Sequence, residues 1–294
     1  MFARQIRRIP KLDRIVKSAQ RKREIARYDR NLLKATKHFH ASEILRYCSA
    51  DKQGLDLHCF YPPDWESHLT NDYATIIFFY GGAWIFNVIK QFYAQSQYLA
   101  SKGVVAICAD FRTYSVHKSD PFEAFTDAFS AMKWVRDHAP SLKIDPHKIV
   151  AAGACSGGLM ALATACLPHL DPLQRSLEEF APDALALFNP ALHTTDPKAA
   201  SGRLGSMGEK MSPFNYVKRN LPPTIMFQVS DDCRAPLRYA RELKQAMISF
   251  GNRCELIEYE GCQHGFFNYF HADKAYYYDT LEKLVVFLRS LDFL

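Results

Sequence analysis

Residues 148–160, KIVAAGACSGGLM, decide how the rest of the chain reads. Lys148 to Ala152 form a short apolar run of strand type, and Leu159 onward has the look of a helix. Between them lies a turn rich in small residues. Two glycines, Gly153 and Gly157, flank a central residue in the layout of a nucleophile elbow, G-x-S-x-G. The centre of that frame is Cys155, not serine. Three readings stay open here. Cys155 is a thiol nucleophile, or the turn is shifted by one so that Ser156 serves, or the pocket does no chemistry. A shift would put Ala154 where the first glycine belongs, which weighs against Ser156. The side chain after the nucleophile is also expected to point into the helix start, away from the pocket.

Working outward, strand-like and helix-like segments alternate. Apolar runs at 74–80 and 104–112 suit strands buried on both faces, and ALALF at 184–188, 223–229 and CELIEY at 254–259 read as further strands. The stretches 92–103, 121–139, 236–250 and 274–291 carry helical periodicity, and Pro121 suits a first helical turn. This alternation predicts an α/β fold, a mostly parallel sheet with helices on both faces. In such a sheet ligands sit beyond the carboxyl ends of the strands. Four segments expected at those ends bear chemically suggestive residues: YGGAW at 80–84, GACSGG at 153–158, SDDCRAP at 230–236 and GCQHGFF at 261–267. Residues 190–222 break the alternation and are expected to form a small lid, because long connections are commonly functional.

Charge divides the chain unevenly. Residues 1–40 hold thirteen Lys and Arg against Asp13, Glu24 and Asp29, so +10 of charge sits there and −4 elsewhere, within a total of +6. Residues 1–45 read as a basic helical arm and 46–294 as the folded domain. Ile6, Ile9, Leu12, Ile15, Val16 and Ala19 would give the arm an apolar stripe. It is expected either to pack on the domain or to meet an anionic membrane or another acidic partner. A mitochondrial presequence is a further reading, though serine is scarce. No specific nucleic-acid motif accompanies it. The eight cysteines are scattered, without C-x-x-C pairs, which suits reduced thiols in the cytoplasm, peripheral at a membrane surface if the arm binds one. No ligand pairs have zinc spacing, so no metal is expected. A secretory signal and a spanning helix are likewise not expected.

Taken together, FYGGAW, AICADFRTYS, IDPHKIVAAGACSGGLMALATA, FNP, PPTIMFQVSDDCRAP and GCQHGFF resemble the esterase/lipase branch of the α/β-hydrolase superfamily. The nearest subset is similar to bacterial carbohydrate-esterase-like proteins, the feruloyl and acetyl-xylan esterases. The likeness covers about residues 55–294. It implies a catalytic triad in which Cys155 replaces the elbow serine, as in the dienelactone hydrolases. His264 would be the base, and Asp232, four residues before Pro236, would orient it, with Asp231 as the alternative acid. The H-G-G-G loop of the family reads Tyr80, Gly81, Gly82, Ala83 here. It implies an oxyanion hole made by the backbone N–H groups of Gly82, Ala83 and Ser156, with Tyr80 reaching the loop from a different height than histidine would. Asp110 and Arg112 would be structural, FNP would be scaffold, and His169 and His193 would lie on the surface. The expected activity is hydrolysis of a small carboxylic ester or thioester without any cofactor. The rival expectation is a weak or inactive relative that binds a ligand or partner; retained acid and base argue against it.

Overall fold

The computed structural model describes residues 30–70, 72–195, 204–205, 207–271 and 274–294. Most of the expected basic arm lies outside the described residues, as do 196–203 and 206 of the expected lid.

Eight strands form one sheet: β1 (Glu43–Cys48), β2 (Gly54–Phe60), β3 (Tyr73–Phe79), β4 (Val105–Ala109), β5 (Ile144–Ala154), β6 (Ala184–Phe188), β7 (Thr224–Val229) and β8 (Cys254–Tyr259). Their order is β1-β2-β4-β3-β5-β6-β7-β8. β2 pairs antiparallel with β1 and β4; every pair from β4 to β8 is parallel. Every residue of β3, β4, β6 and β7 is buried, as the continuous apolar runs require of strands covered on both faces. The expected α/β architecture is the observed one.

Helices α1 (Tyr93–Ala100) and α5 (Ala275–Arg289) cover one face, where Phe92, Leu99, Leu284 and Leu288 meet Ile76, Phe78 and Phe227. α2 (Pro121–Asp137), α3 (Ser156–Cys166) and α4 (Leu237–Ser249) cover the other, with Phe125, Leu159 and Leu243 packed near Ile77 and Leu185. The start of α2 is written in the sequence DPFE. Asp120 accepts from the Glu123 N–H (3.1 Å), Glu123 accepts from the Asp120 N–H (2.9 Å), and Pro121 needs no acceptor.

Three boundaries depart from expectation. β1 straddles the expected division at 45/46, so the sheet begins inside the segment read as arm. Only Tyr47 of that edge strand is fully buried, which left no alternation to see. β5 starts at Ile144, ahead of the expected 148, with Pro146 at its margin. α3 starts at Ser156, directly after the turn, where Gly157 and Gly158 mask the helical signal. The described part of 190–222 packs on the body: Leu204, Met211 and Leu221 are buried, and Asn252 holds Leu221 N–H (3.0 Å) and Lys218 C=O (2.7 Å).

Candidate active site

The turn after β5 has room for one frame only. A Cβ on Gly153 would lie 2.3 Å from the carbonyl oxygen of Gly157, and one on Gly157 would lie 2.1 Å from that of Phe79. Both distances are impossible for real atoms, so glycine is required at each and the frame centres on position 155. Cys155 takes φ 49°, ψ −115°, a region that costs a non-glycine residue of order 1–3 kcal/mol. That strain is held by the Cys155 N–H bonding to Phe188 C=O (3.0 Å) and by the packed helix behind it. The thiol therefore stands at the tip of the bend, where the first turn of α3 begins.

Two loops bring partners to it. His264 follows β8, and its Nδ1 lies 2.6 Å from Asp232 Oδ2. The His264 imidazole also lies near enough to Cys155 for its charge to favour the thiolate, so one ring serves both thiol and carboxylate. Asp232 is buried and accepts from the Arg234 N–H (2.8 Å) and the Ala235 N–H (3.0 Å) with Oδ1, while Oδ2 also takes Asn189 Nδ2 (2.7 Å). Asp231, its neighbour, is exposed. Of the two candidate acids the structure brings Asp232 to the histidine.

The electrostatics follow from this geometry. Burial opposes ionisation of Cys155, but the nearby His264 charge outweighs that, and the thiol sits below its ordinary range. Burial would depress His264; the Cys155 charge and the bond to Asp232 overcome it and hold the imidazole up at about 10. Burial pushes Asp232 up, yet the bond and charge of His264 and the backbone donors keep it below the usual carboxylate range. A thiolate–imidazolium pair backed by a carboxylate is the state these directions favour.

The loop after β3 departs from expectation twice. Tyr80 does not reach the loop's own N–H groups. Its hydroxyl donates to Asp110 Oδ1 (3.0 Å), and its ring stacks on Phe111 at 4.1 Å. The loop is held instead by Gln91, whose Oε1 accepts the Gly81 N–H (2.7 Å). Gln91 Nε2 in turn donates to Asn268 Oδ1 (3.0 Å), and Asn268 Nδ2 donates to Gly265 C=O (2.7 Å), beside His264. The second departure is Ser156. Its side chain is turned toward the β3 loop: Oγ accepts the N–H of Ala83 (2.9 Å) and of Gly82 (3.2 Å), and the residue has no exposed surface. Two of the three expected oxyanion donors, the N–H groups of Gly82 and Ala83, meet at this hydroxyl.

Sequence reasoning missed Gln91, Asn268 and Asn189. The FNP segment was read as scaffold, yet its asparagine supports Asp232. Amides in helical or loop runs carry no local signature of such roles; FNP, standing at a strand's carboxyl end, was the one positional hint. Arg112 and Asp110 are structural as expected, Arg112 binding Asp127 through Nη2 (2.7 Å). His169 is exposed and stacks on Tyr216 at 4.4 Å, and half-buried His193 meets Tyr239 at 4.1 Å. Among the described residues no cluster of His, Cys, Asp and Glu could hold a metal ion, and no helix is long and apolar enough to cross a membrane.

A parallel sheet extended by antiparallel edge strands, with a strained elbow after β5 and an acid and a histidine after β7 and β8, defines an α/β hydrolase. The family model described as BD-FAE matches residues 60–187. Esterase LipC of Mycobacterium tuberculosis is 26% identical over 67% of this chain, and the chain spans 54%, about half, of that relative's length. Thermogutta terrifontis esterase 2, in a form phosphonylated by cyclosarin, is 37% identical with a TM-score of 0.79, covering 86% of this chain and 95% of that one. Its propionate-bound form is 36% identical with a TM-score of 0.78, at the same coverage. The chain belongs to the esterases of the α/β-hydrolase fold.

Proposed function

We propose that this protein hydrolyses small carboxylic esters or thioesters through Cys155, His264 and Asp232. The observation that carries the reading is Cys155 at the strained tip of the elbow, under the charge of an imidazole that buried Asp232 holds by a hydrogen bond. The thiolate attacks the carbonyl carbon, a C–S bond forms, and the carbonyl electron pair moves to oxygen. Collapse of the tetrahedral intermediate breaks the bond to the alcohol or thiol, and His264 gives that leaving group its proton. Water then attacks the thioester while His264 takes one of its protons, and rupture of the C–S bond restores the thiolate. Asp232 stays ionised and holds the ring. The N–H groups of Gly82, Ala83 and Ser156 are the proposed oxyanion donors.

A short acyl group suits the reading, since a structural relative carries propionate. The sequence resemblance to carbohydrate-esterase-like proteins suggests a small acyl group on an alcohol or sugar as the substrate class. Eight free thiols suit a reducing compartment, the cytoplasm. The basic residues 1–40, ahead of β1, are proposed as an electrostatic contact to an anionic surface, and 190–222 as a lid.

The test is a panel of p-nitrophenyl acetate, propionate and butyrate with native protein, Cys155→Ala and Cys155→Ser. Turnover in native protein that vanishes in Cys155→Ala, together with iodoacetamide labelling of Cys155, is expected. Full activity in Cys155→Ala would overturn the thiol assignment. The second reading, a ligand-binding relative with little turnover, is favoured by one observation, the Ser156 hydroxyl on the loop N–H groups. Activity only in Cys155→Ser would support it.

A further inference from the structure

We propose that the Ser156 hydroxyl is an internal occupant of the oxyanion position, which must swing away before a substrate carbonyl can be stabilised. The inference rests on the ester-hydrolase reading of this site and names what limits it.

Ser156 is the residue after the proposed nucleophile, and its N–H is the first of α3. An oxyanion formed on Cys155 would seek that N–H together with those of Gly82 and Ala83. The Ser156 Oγ already lies 2.9 Å from Ala83 N and 3.2 Å from Gly82 N. Donors in an oxyanion hole lie 2.7–3.1 Å from the charge they stabilise. The hydroxyl oxygen therefore stands about where the charged oxygen of the intermediate is needed. Both of its lone pairs are taken by the two N–H groups. The residue is fully buried.

Two consequences follow. A substrate carbonyl can use Gly82 and Ala83 only after the hydroxyl rotates about its Cα–Cβ bond and gives up both hydrogen bonds. The cost falls on the tetrahedral intermediate and not on thiolate reactivity, since alkylation at a saturated carbon develops no oxyanion. Ser156 thus acts through the loop N–H groups and is a positioning residue. Alanine at this place would take the hydroxyl off both N–H groups.

The experiment compares native protein, Ser156→Ala and Ser156→Gly. It measures kcat and KM for p-nitrophenyl propionate and, separately, the rate of Cys155 alkylation by iodoacetamide. Both variants are expected to raise kcat roughly tenfold, since a single lost donor costs a hundredfold or more, with alkylation near the native rate and a lowered Tm, because the two loop N–H groups lose their acceptor. Gain in one or both variants at unchanged alkylation supports the proposal. Unchanged or reduced kcat in both overturns it, and a fall would mean that the hydroxyl itself donates to the oxyanion. Failure of the underlying reading shows differently: Cys155 would resist iodoacetamide, or Cys155→Ala would keep its turnover.

Discussion

A cysteine beside an imidazolium reacts as thiolate across a wider pH range than a free thiol, and Cys155 meets the conditions for that. Its charge is favoured by His264, while burial alone would suppress it. Because the folded thiol is lowered, alkylation should persist below the ordinary thiol value of about 8.5 and fade as pH drops through the lowered one. Removing the imidazole leaves only burial, which acts in the opposite direction. His264→Ala is therefore expected to slow iodoacetamide labelling at pH 7 at least about tenfold, with recovery only in strong alkali. A rate profile identical to native would contradict the pairing. Esterase turnover should also decline on the alkaline side, as His264, held up at about 10, loses the proton it owes the leaving group. Asp232→Asn should retain labelling but reduce kcat roughly a hundredfold or more, because an amide does not stabilise the imidazolium.

Between elements, two buried polar assemblies fix the site. The first is the chain Gly81, Gln91, Asn268, Gly265, which joins the loop after β3 to the loop that carries His264. Gln91 and Asn268 are both buried, so each bond lost strands a polar partner. Gln91→Leu is expected to lower stability by about 1–3 kcal/mol and kcat about tenfold while KM changes little. Urea melts and steady-state kinetics check the two effects separately, and an unchanged kcat would make the chain structural only. The second assembly surrounds Arg112, beyond the end of β4. Its Nε and Nη2 bind Asp127 of α2, Nη1 reaches Glu123 (3.0 Å) and Asp51 (2.5 Å), and Asp127 has no exposed side-chain surface. Breaking a buried pair leaves one charge uncompensated, so Asp127→Asn should cost about 3–5 kcal/mol. A loss within 0.5 kcal/mol, an order-of-magnitude bound for surface positions, would show that the pair is dispensable.

At the scale of the whole molecule, charge is segregated: +10 in residues 1–40 against −4 in the rest. An electrostatic attachment is screened by salt. Full-length protein should co-sediment with vesicles of phosphatidylserine and phosphatidylcholine at low salt, and a form lacking residues 1–40 should not. Equal sedimentation of both forms would remove the arm from consideration. The overall architecture was readable along the chain because parallel strands buried on both faces write continuous apolar runs, and intervening helices write a different period. The elbow, His264 and Asp232 were readable because each follows such a run at fixed spacing. By itself, then, the sequence determined the α/β layout, the elbow that carries Cys155 and the chain order of Asp232 and His264 after it. Only the tertiary structure decided that Tyr80 turns to Asp110, that Gln91 and Asn268 hold the loops, that Asn189 backs Asp232, and that the Ser156 hydroxyl takes the N–H groups of Gly82 and Ala83. Those pairings join residues as many as 177 positions apart, and a hydrogen bond between distant groups leaves no periodic trace in either partner's own stretch of chain.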